Sequence, residues 1–536
     1  MPLIKHILKS SSFKPLMGFC GLLFFVSCMA QQKNYVVPFG LKGQAYPAHV
    51  ELNWQNQPGF LYEIYRSSDN GASFIKVGES RSNAFMDFFC KPVAKVQSYI
   101  YRIIPKGFNI KNSNVLKFEV KTEILPTTDD ALLDMTQRYT TRYFYDFADP
   151  KTGMARERSN DLNGDIVTTG GTGFGIMALV AGAERHYFKR ENALNSINKI
   201  VGFLEKAERF HGAWAHWYNA DTGKPFNFSK FDDGGDLVET AFMMEGLLTA
   251  RAYFENGNDD ERLLSNRITY LWKTVEWSWY TNKTDSLYWH WSKNYGWKMN
   301  HRIKGYDETL ITYVLAASSP TYPIERKVYE SCYKISSYYL NGKSYFGHKI
   351  ALGMEFGGPL FFTHYSFLGL NPHLISDNVT NYFDLNREHA LVQVAYAKQN
   401  PLKHIGYSAD CWGFTSSDDP LLGYTSHQLG TRDENGTVSP TAAISSIVYT
   451  PEESLAALRH FYFDLGKQLF GRYGFYDAFN LGLVEGQQVV HSYLAIDQGP
   501  IPVMIENYRS GLLWKLFMSN TEIRSGLKKL GFKTKY

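Results

Sequence analysis

The chain is poor in cysteine, which argues against two classes of protein. Only five cysteines occur in 536 residues, and two of them, Cys20 and Cys28, lie within the first 30 residues. The other three, Cys90, Cys332 and Cys411, are far apart and odd in number. Disulfide-stapled domains and CxxC metal sites need paired, closely spaced cysteines. The sequence therefore supports neither.

An excess of charge of one sign is also missing. The formal net charge is +4, and Lys5, Lys9 and Lys14 of the N-terminal segment supply three of these positive charges. The remainder is close to neutral and contains no cluster of basic residues. Binding to nucleic acid depends on clustered lysine and arginine. We therefore expect no nucleic acid partner.

Long hydrophobic runs are absent after residue 30. The one apolar run, Gly18–Val26, is too short to span a bilayer and follows three lysines, as in an export signal. We assign residues 1–30 as a signal peptide. Within it, Phe25–Cys28 approximates a lipobox, which would leave Cys28 as a lipidated N-terminus, whereas cleavage before Gln31 is the alternative. We expect an exported protein that is periplasmic or membrane-anchored through an N-terminal lipid.

Signatures of several enzyme classes are absent as well. The sequence has no Walker-type loop, no GxGxxG before a helix and no GxSxG, so phosphoryl, hydride and acyl transfer lack support. His216, His290, His364 and His427 show no HExxH-like spacing. We expect these histidines to form hydrogen bonds, and we expect neither a metal nor a cofactor.

Residues 31–123 are predicted to form a β-sandwich. Short segments alternate apolar with polar residues, and turn signals such as Ser68–Ser73 separate them. This pattern resembles that of a fibronectin type III domain. The predicted strands are His49–Trp54, Tyr62–Ser67, Phe74–Glu79, Ser98–Ile104 and Leu116–Thr122.

Residues 124–130 read as a linker, and residues 131–536 as a mainly α domain. Long loops rich in Gly, Trp, His and Asp separate the helical segments, and such loops are usually functional. About twelve helices in this length fit a closed toroid of helix pairs with one cleft built from loops. The clearest predicted helices are Ala131–Phe147, Gly173–Phe188, Ala193–Glu208, Leu237–Phe254, Glu261–Tyr280, Asp307–Ser318, Arg326–Leu340, Arg387–Gln399, Pro451–Phe470 and Ile501–Met518.

Acidic residues cluster where one of these helices begins. Asp232, Asp233, Asp236 and Glu239 lie within eight residues and flank a Gly-Gly pair. The spacing of Asp236 and Glu239 also matches a capping box, and that interpretation stays open for Asp236. Glycines allow close approach of a ligand to the backbone. The four acids together favour a sugar site.

Two further acidic positions precede helices. Asp307 and Glu308 follow a loop, Leu287–Asn300, that contains three tryptophans. Asp497 stands in an apolar stretch just before Gly499 and two prolines. Capping and the helix dipole are the alternative explanations for all three acids. Glycoside hydrolysis needs one protonated carboxyl group and one carboxylate, and this set provides them.

Seven long motifs resemble the glycoamylase-like proteins that include the bacterial β-1,2-glucanases of glycoside hydrolase family 144. The resemblance implies an (α/α)6 barrel over about residues 130–530 and metal-independent hydrolysis of β-1,2-linked glucans with inversion at the anomeric carbon. The N-terminal sandwich lies outside it. The motifs are Asp232–Phe242, Leu287–Trp291, Gly305–Tyr313, Phe361–Leu370, Ser439–Ser446, Tyr473–Asn480 and Ala495–Trp514.

The resemblance also implies residue roles. Glu308 corresponds to the general acid and Asp497 to the general base, while Asp236 and Glu239 line the same cleft. The division of roles among these four acids stays open. Further expected substrate contacts are Asp232, His216, Trp289, His290, Trp291, Asp307, His364, Tyr365, Trp412, Arg432 and Asn507.

The short linker suggests how the substrate is cleaved. It would hold the sandwich over one end of the cleft, where Arg81 reaches a sugar hydroxyl, and a closed end favours exo action with release of sophorose. Endo action, a glucoamylase-like hydrolase of α-glucans and a glycan-binding lipoprotein stay as alternatives. A polysaccharide lyase is disfavoured because the near-neutral chain carries many cleft acids and no basic site for a uronate.

Overall fold

The computed structural model describes residues 39–55, 60–89, 95–106, 119–161 and 164–535. The predicted signal peptide with Cys28, and Cys90, lie outside the described residues. Within the described ranges, no helix has both the length and the apolar character needed to span a membrane.

The N-terminal region contains two antiparallel sheets with a common core. One sheet has the order β1-β2-β5 and the other β4-β3-β6-β7. Val50 and Trp54 of one sheet pack with Tyr62 and Tyr101 of the other in this core, as the alternating pattern predicted. The strands are β1 Phe39–Ala45, β2 His49–Gln55, β3 Tyr62–Ser67, β4 Ile75–Ser80, β5 Ala84–Phe88, β6 Gln97–Pro105 and β7 Glu119–Ile124.

The rest of the described chain is dominated by helices. They are α1 Asp129–Tyr145, α2 Thr169–Glu184, α3 Arg190–Leu204, α4 Leu237–Phe254, α5 Asp259–Lys273, α6 Leu310–Ser318, α7 Arg326–Ser331, α8 Tyr382–Gln399, α9 Pro440–Ser445, α10 Pro451–Arg459, α11 Gly466–Leu469, α12 Ala495–Gln498, α13 Pro500–Ser510, α14 Leu512–Ser519 and α15 Thr521–Leu530. Two-stranded ladders in the loops include Gly235–Asp236 with His290–Trp291, and Ser417–Asp419 with Gly423–Thr425.

Several helices are shorter than the sequence predicted. The predicted helix Ile501–Met518 is two helices, because Gly511 adopts a φ of 67° that ends α13 and starts α14. The predicted helix Glu261–Tyr280 stops at Lys273, and its aromatic end forms a short 3-10 turn with Trp277 and Tyr280 in the core. Hydrophobic periodicity does not register these local breaks.

Two helices, α2 and α4, form the centre of the helical region. Both are buried around nearly their whole circumference, whereas α3, α5 and α15 bury one face only. The backbones of α2 and α4 come so close that a Cβ atom at Gly246 would lie 2.0 Å from the carbonyl oxygen of Gly173. Glycine is therefore required at this crossing.

The sheet region is joined to the helices through buried polar contacts. His49 on β2 places its ring nitrogens 2.7 Å from the hydroxyl of Tyr462 and 2.9 Å from that of Tyr139. Burial lowers the pKa of His49 to about 3, so the ring is neutral at neutral pH. Beside it, Arg142 of α1 pairs with Glu51 at 3.0 Å. The two regions therefore share one buried network.

We predict that Gly246→Ala destabilises the protein, because the new methyl group must separate α2 from α4. Overpacking of this kind costs about 1–3 kcal/mol, which thermal unfolding measures as a lower Tm. The matched control is Gly202→Ala on α3, where the nearest atom outside the helix backbone, a guanidinium nitrogen of Arg267, is 3.5 Å from the added Cβ. An unchanged Tm for Gly246→Ala would contradict the close helix crossing.

Candidate active site

The acids at the start of α4 are held in fixed positions. Asp236 caps the helix: its Oδ1 accepts the N–H groups of Val238 at 3.0 Å and Glu239 at 2.9 Å. Its Oδ2 accepts the indole N–H of Trp289 at 3.0 Å. Glu239 does not complete the capping box, because its Oε2 accepts the N–H of Gly170 at the start of α2 instead. Asp236 is thus both a cap and a fixed cleft acid.

His216 is the cation among these acids. Its Nδ1 lies 3.4 Å from Asp236 and its Nε2 lies 3.8 Å from Glu239. Burial lowers the pKa of His216, but the charge of Glu239 and the hydrogen bond to Asp236 outweigh it and raise the pKa to about 10. Burial and the charge of Asp236 raise the pKa values of Glu239 and Asp232 to about 7, against the opposing charge of His216. The group therefore holds protons at neutral pH.

Three of these side chains resemble a metal site in geometry. Donor atoms of His216, Asp232 and Asp236 all lie within 4.8 Å of one another. A metal ligand must be a neutral imidazole, whereas the raised pKa keeps His216 protonated. In addition, the carboxylate oxygens of Asp236 already accept hydrogen bonds from the start of α4 and from Trp289. These features favour hydrogen bonding over metal ligation.

Glu308 lies in a turn that leads into α6. The helix begins at Leu310, three residues later than predicted, because Asp307 accepts the N–H and the hydroxyl of Thr309 and forms a turn there. The carboxyl group of Glu308 is half-buried and accepts a hydrogen bond from the residue's own backbone N–H. Burial, followed by the charge of Asp307, raises the pKa of Glu308 well above its usual range. This shift favours the protonated form of the carboxyl group.

Asp497 lies inside the short helix α12 and does not cap the next helix. The N-cap of α13 is Gly499, which has no side chain to offer, so capping does not explain this acid. Its Oδ1 accepts the hydroxyl of Tyr365 at 3.4 Å, and its carbonyl oxygen accepts the hydroxyl of Thr441 at 2.6 Å. Burial, then the charge of Asp477, raises the pKa of Asp497 well above its usual range.

Asp497 belongs to a second acidic group that the sequence prediction missed. Asp477 accepts the backbone N–H of Asp418 at 2.6 Å, and Asp418 pairs with Arg158 at 3.2 Å. Glu157 is buried nearby and accepts the indole N–H of Trp217 at 3.1 Å. Asp418 and Asp477 stand in polar–aromatic sequence stretches, which is a weak signal. Only folding brings the group together, since its members are far apart in the chain.

Tyr365 connects the two acidic groups. Its hydroxyl contacts Asp497, and the charges of both Asp497 and Glu308 raise its pKa in addition to burial, which is the main cause. The ring packs against Phe174 of α2 and Phe242 of α4. The phenol of Tyr365 therefore contacts Asp497 and lies near enough to Glu308 for its charge to affect the phenol.

Other predicted contact residues fall into two groups. One group lies beside the acids. His290 belongs to it, with its Nε2 3.3 Å from Asp232, and the other members are Asp232, His216, Trp289, Asp307 and Tyr365. Trp291 packs against the rings of His211 and Trp279. Arg432 is exposed on a loop, and Arg81 is exposed on the turn between β4 and β5.

Three further residues predicted as sugar contacts are hydrogen-bonded to protein groups. His364 is buried with its Nε2 3.0 Å from the hydroxyl of Ser446. Trp412 is fully buried, and its indole N–H points to the carbonyl oxygen of Glu453 at 3.4 Å. Asn507 donates to one backbone carbonyl and accepts one backbone N–H. Each of these side chains therefore has at least one hydrogen bond to a protein group.

Comparisons with known proteins match both the helical region and the whole chain. The Glycoamylase family, described as "Putative glucoamylase", matches residues 300–521. The exo β-1,2-glucooligosaccharide sophorohydrolase (non-reducing end) of Parabacteroides distasonis is 41% identical over 514 residues, which are 91% of this chain and 70% of that protein.

Two solved structures are similar as well. The crystal structure of β-1,2-glucanase from Parabacteroides distasonis has a TM-score of 0.83 at 39% identity and covers 92% of this chain and 73% of its own. The endo-β-1,2-glucanase of Chitinophaga pinensis, in complex with sophorotriose and glucose, has a TM-score of 0.74 at 48% identity. The alignment covers 76% of this chain and 99% of the Chitinophaga pinensis chain.

Identity and coverage of this extent confirm the resemblance read from the motifs. The chain is a glycoside hydrolase and belongs to the glycoamylase-like family.

Proposed function

We propose that this enzyme hydrolyses β-1,2-linked glucans or glucooligosaccharides with inversion at the anomeric carbon. The observation that carries the proposal is that Tyr365 lies near two acids from separate acidic groups. Its hydroxyl contacts Asp497, and the charge of Glu308 affects its pKa. The printed activities of the sophorohydrolase and the glucanases indicate the linkage.

The proposed fold of the helical region is an (α/α)6 barrel spanning residues 131–536. In its support, α2 and α4 are buried on all sides, whereas α3 and α5 bury a single face, as inner and outer helices of a barrel do. The strand orders β1-β2-β5 and β4-β3-β6-β7 support a fibronectin type III-like domain over residues 31–123, followed by the linker 124–130.

Glu308 acts in the proposal as the general acid. Its raised pKa favours the protonated carboxyl group, which is the form that donates a proton. As the bond between C1 and the glycosidic oxygen breaks, the carboxyl proton passes to that oxygen. The leaving sugar departs with a free hydroxyl group, and Glu308 is left as a carboxylate.

Asp497 acts as the general base. A water molecule attacks C1 from the face opposite the leaving group, its oxygen bonds to C1, and one of its protons passes to Asp497. Asp232, Asp236, Glu239 and His216 then bind sugar hydroxyl groups in the same cleft. Attack on a β-linked sugar from the opposite face gives a product that is first released as the α anomer.

The sheet region supports exo action. The endo enzyme of Chitinophaga pinensis aligns over 76% of this chain, which is about the share that the helical region makes up. The sophorohydrolase aligns over 91%, so its alignment extends beyond a length equal to that of the helical region. Ser82 and Asn83, beside Arg81, line a crevice of about 530 Å³ together with Arg472 and Tyr476. Tyr476 directly precedes Asp477, so this turn faces the segment that leads into the cleft.

We predict that Glu308→Gln and Asp497→Asn each lower kcat at least about 100-fold, since each removes one proton-transfer group. Chromatography of the products formed from β-1,2-glucan measures the loss, and calorimetry with the same glucan shows that binding persists. The control is Glu330→Gln, an exposed acid on α7, which keeps full activity. Retained activity in both cleft variants contradicts the assignment. A wild-type protein that binds glucan without turnover indicates a binding protein.

We predict that the wild-type enzyme releases sophorose as its one early product from β-1,2-glucooligosaccharides, because one end of the cleft is closed. Proton NMR of the first product is expected to show the α anomer. Starch gives no product. A ladder of sizes would indicate endo action, an initial β anomer would indicate retention, and glucose from starch would indicate an α-glucan hydrolase.

Export through an N-terminal lipid is proposed as well, from the lipobox-like Phe25–Cys28. We expect Cys28→Ala to move the protein from the membrane fraction to the soluble periplasmic fraction, because the acyl chains attach to this sulfur. Immunoblotting of cell fractions measures the change. An unchanged distribution would favour ordinary cleavage before Gln31.

A further inference from the structure

Two buried carboxyl groups face each other at the proposed base. Asp497 and Asp477 are 1% and 2% exposed, and their side chains are in hydrogen-bond contact. Within the described part of the chain, Oδ2 of Asp497 and Oδ1 of Asp477 have no donor. The other oxygens are occupied, one by the hydroxyl of Tyr365 and one by the N–H of Asp418. Carboxylate oxygens only accept, so two of them in contact need a proton between them.

The charges around the pair lead to the same requirement. The one cation of this group, Arg158, is bonded to Asp418, and His216 balances Glu157 and Glu239. No positive charge within the described residues is left to balance a second charge on the pair. Two adjacent buried carboxylates would repel strongly. The titratable and charged groups that face the pair are Asp418, Arg158, Glu157, Tyr365 and Tyr424.

We infer that Asp477 is a positioning residue that shares one proton with Asp497, so that the base of the reaction is a singly charged carboxyl pair. The inference rests on the proposed function, in which Asp497 is the base. Asp477 acts only through Asp497 and does not touch the substrate.

The shared proton explains how Asp497 works as a base in a buried site. It satisfies Oδ2 of Asp497 and leaves Oδ1, beside Tyr365, as the oxygen that accepts the proton of the attacking water. After that step the pair is neutral and holds two protons, and one of them returns to solvent before the next turnover. Burial and the charge of Asp418 raise the pKa of Asp477 to about 8, and burial and the charge of Asp477 raise the pKa of Asp497. Both shifts favour a proton held by the pair.

The test is the pH profile of kcat/KM for Asp477→Ala and Asp477→Asn with a β-1,2-glucooligosaccharide. In wild type, the first ionisation of the pair leaves a carboxylate that is bonded to the remaining proton. Alanine removes that hydrogen bond, so the ionisation that makes Asp497 a base moves to higher pH. The acid limb of the profile, where kcat/KM falls as the base becomes protonated, then moves to higher pH by about one unit or more. At neutral pH, kcat/KM falls at least about tenfold. Asparagine donates an N–H in place of the proton and brings the limb back toward its wild-type position.

Two results would overturn the inference. A limb that moves to lower pH in both variants means that Asp477 is ionised and only repels Asp497. A uniform loss with an unmoved limb means that Asp477 merely holds the backbone of Asp418. Ser492→Ala is the matched control, since it removes a 2.8 Å hydrogen bond to Asp418 without changing the number of protons. Its acid limb is expected to stay in place.

A proton count covers the case in which Asp477→Ala does not fold. Carbon-13 NMR of aspartate-labelled protein follows each carboxyl group with pH, and we expect Asp477→Asn to hold one proton fewer than wild type at neutral pH. An equal number of protons contradicts the shared proton. These results differ from those expected if the proposed function itself is wrong. In that case Asp497→Asn would retain glucan hydrolysis, with or without a substitution at Asp477.

Discussion

The close crossing of α2 and α4 is the contact on which the site depends. Gly173 and Gly246 allow the two backbones to touch, and this brings the N-terminal ends of both helices together. Glu239 of α4 can therefore accept the N–H of Gly170 at 2.6 Å. Free N–H groups at helix N-termini carry partial positive charge and stabilise carboxylates there. The same packing that builds the core thus gathers acids at one cleft.

Charge balance decides what these acids can do. The two groups gather many acids, while the cations among them in the described part of the chain are His216 and Arg158. Most of the acids must hold protons or share them, since buried unbalanced charge is costly. The structure separates the two kinds of acid. The raised pKa of Glu308 favours its protonated form, whereas Asp497 has the hydroxyl of Tyr365 at one oxygen and a partner acid, Asp477, beside it.

The sequence was sufficient for the parts of the fold and site that are local. Alternation in residues 49–104 predicted the sheets, and the helix Leu237–Phe254 was predicted with its observed bounds. Asp236, Glu239 and Glu308 were identified because acids before apolar helices are visible in the chain. Asp418 and Asp477 were missed because nothing local ties them to Asp497. For Trp412 and Asn507, the motifs did not show that their polar atoms are hydrogen-bonded within the protein.

The most direct test of the account is a crystal structure of Glu308→Gln with a bound β-1,2-glucooligosaccharide. The account predicts that the amide of residue 308 lies within hydrogen-bond distance of a glycosidic oxygen. It also predicts a water molecule on Asp497, on the opposite face of the sugar ring, with the two side chains separated by about 6.5–9.5 Å or more. A glycosidic oxygen that faces Asp232 or Asp236 instead, with no water on Asp497, would contradict it.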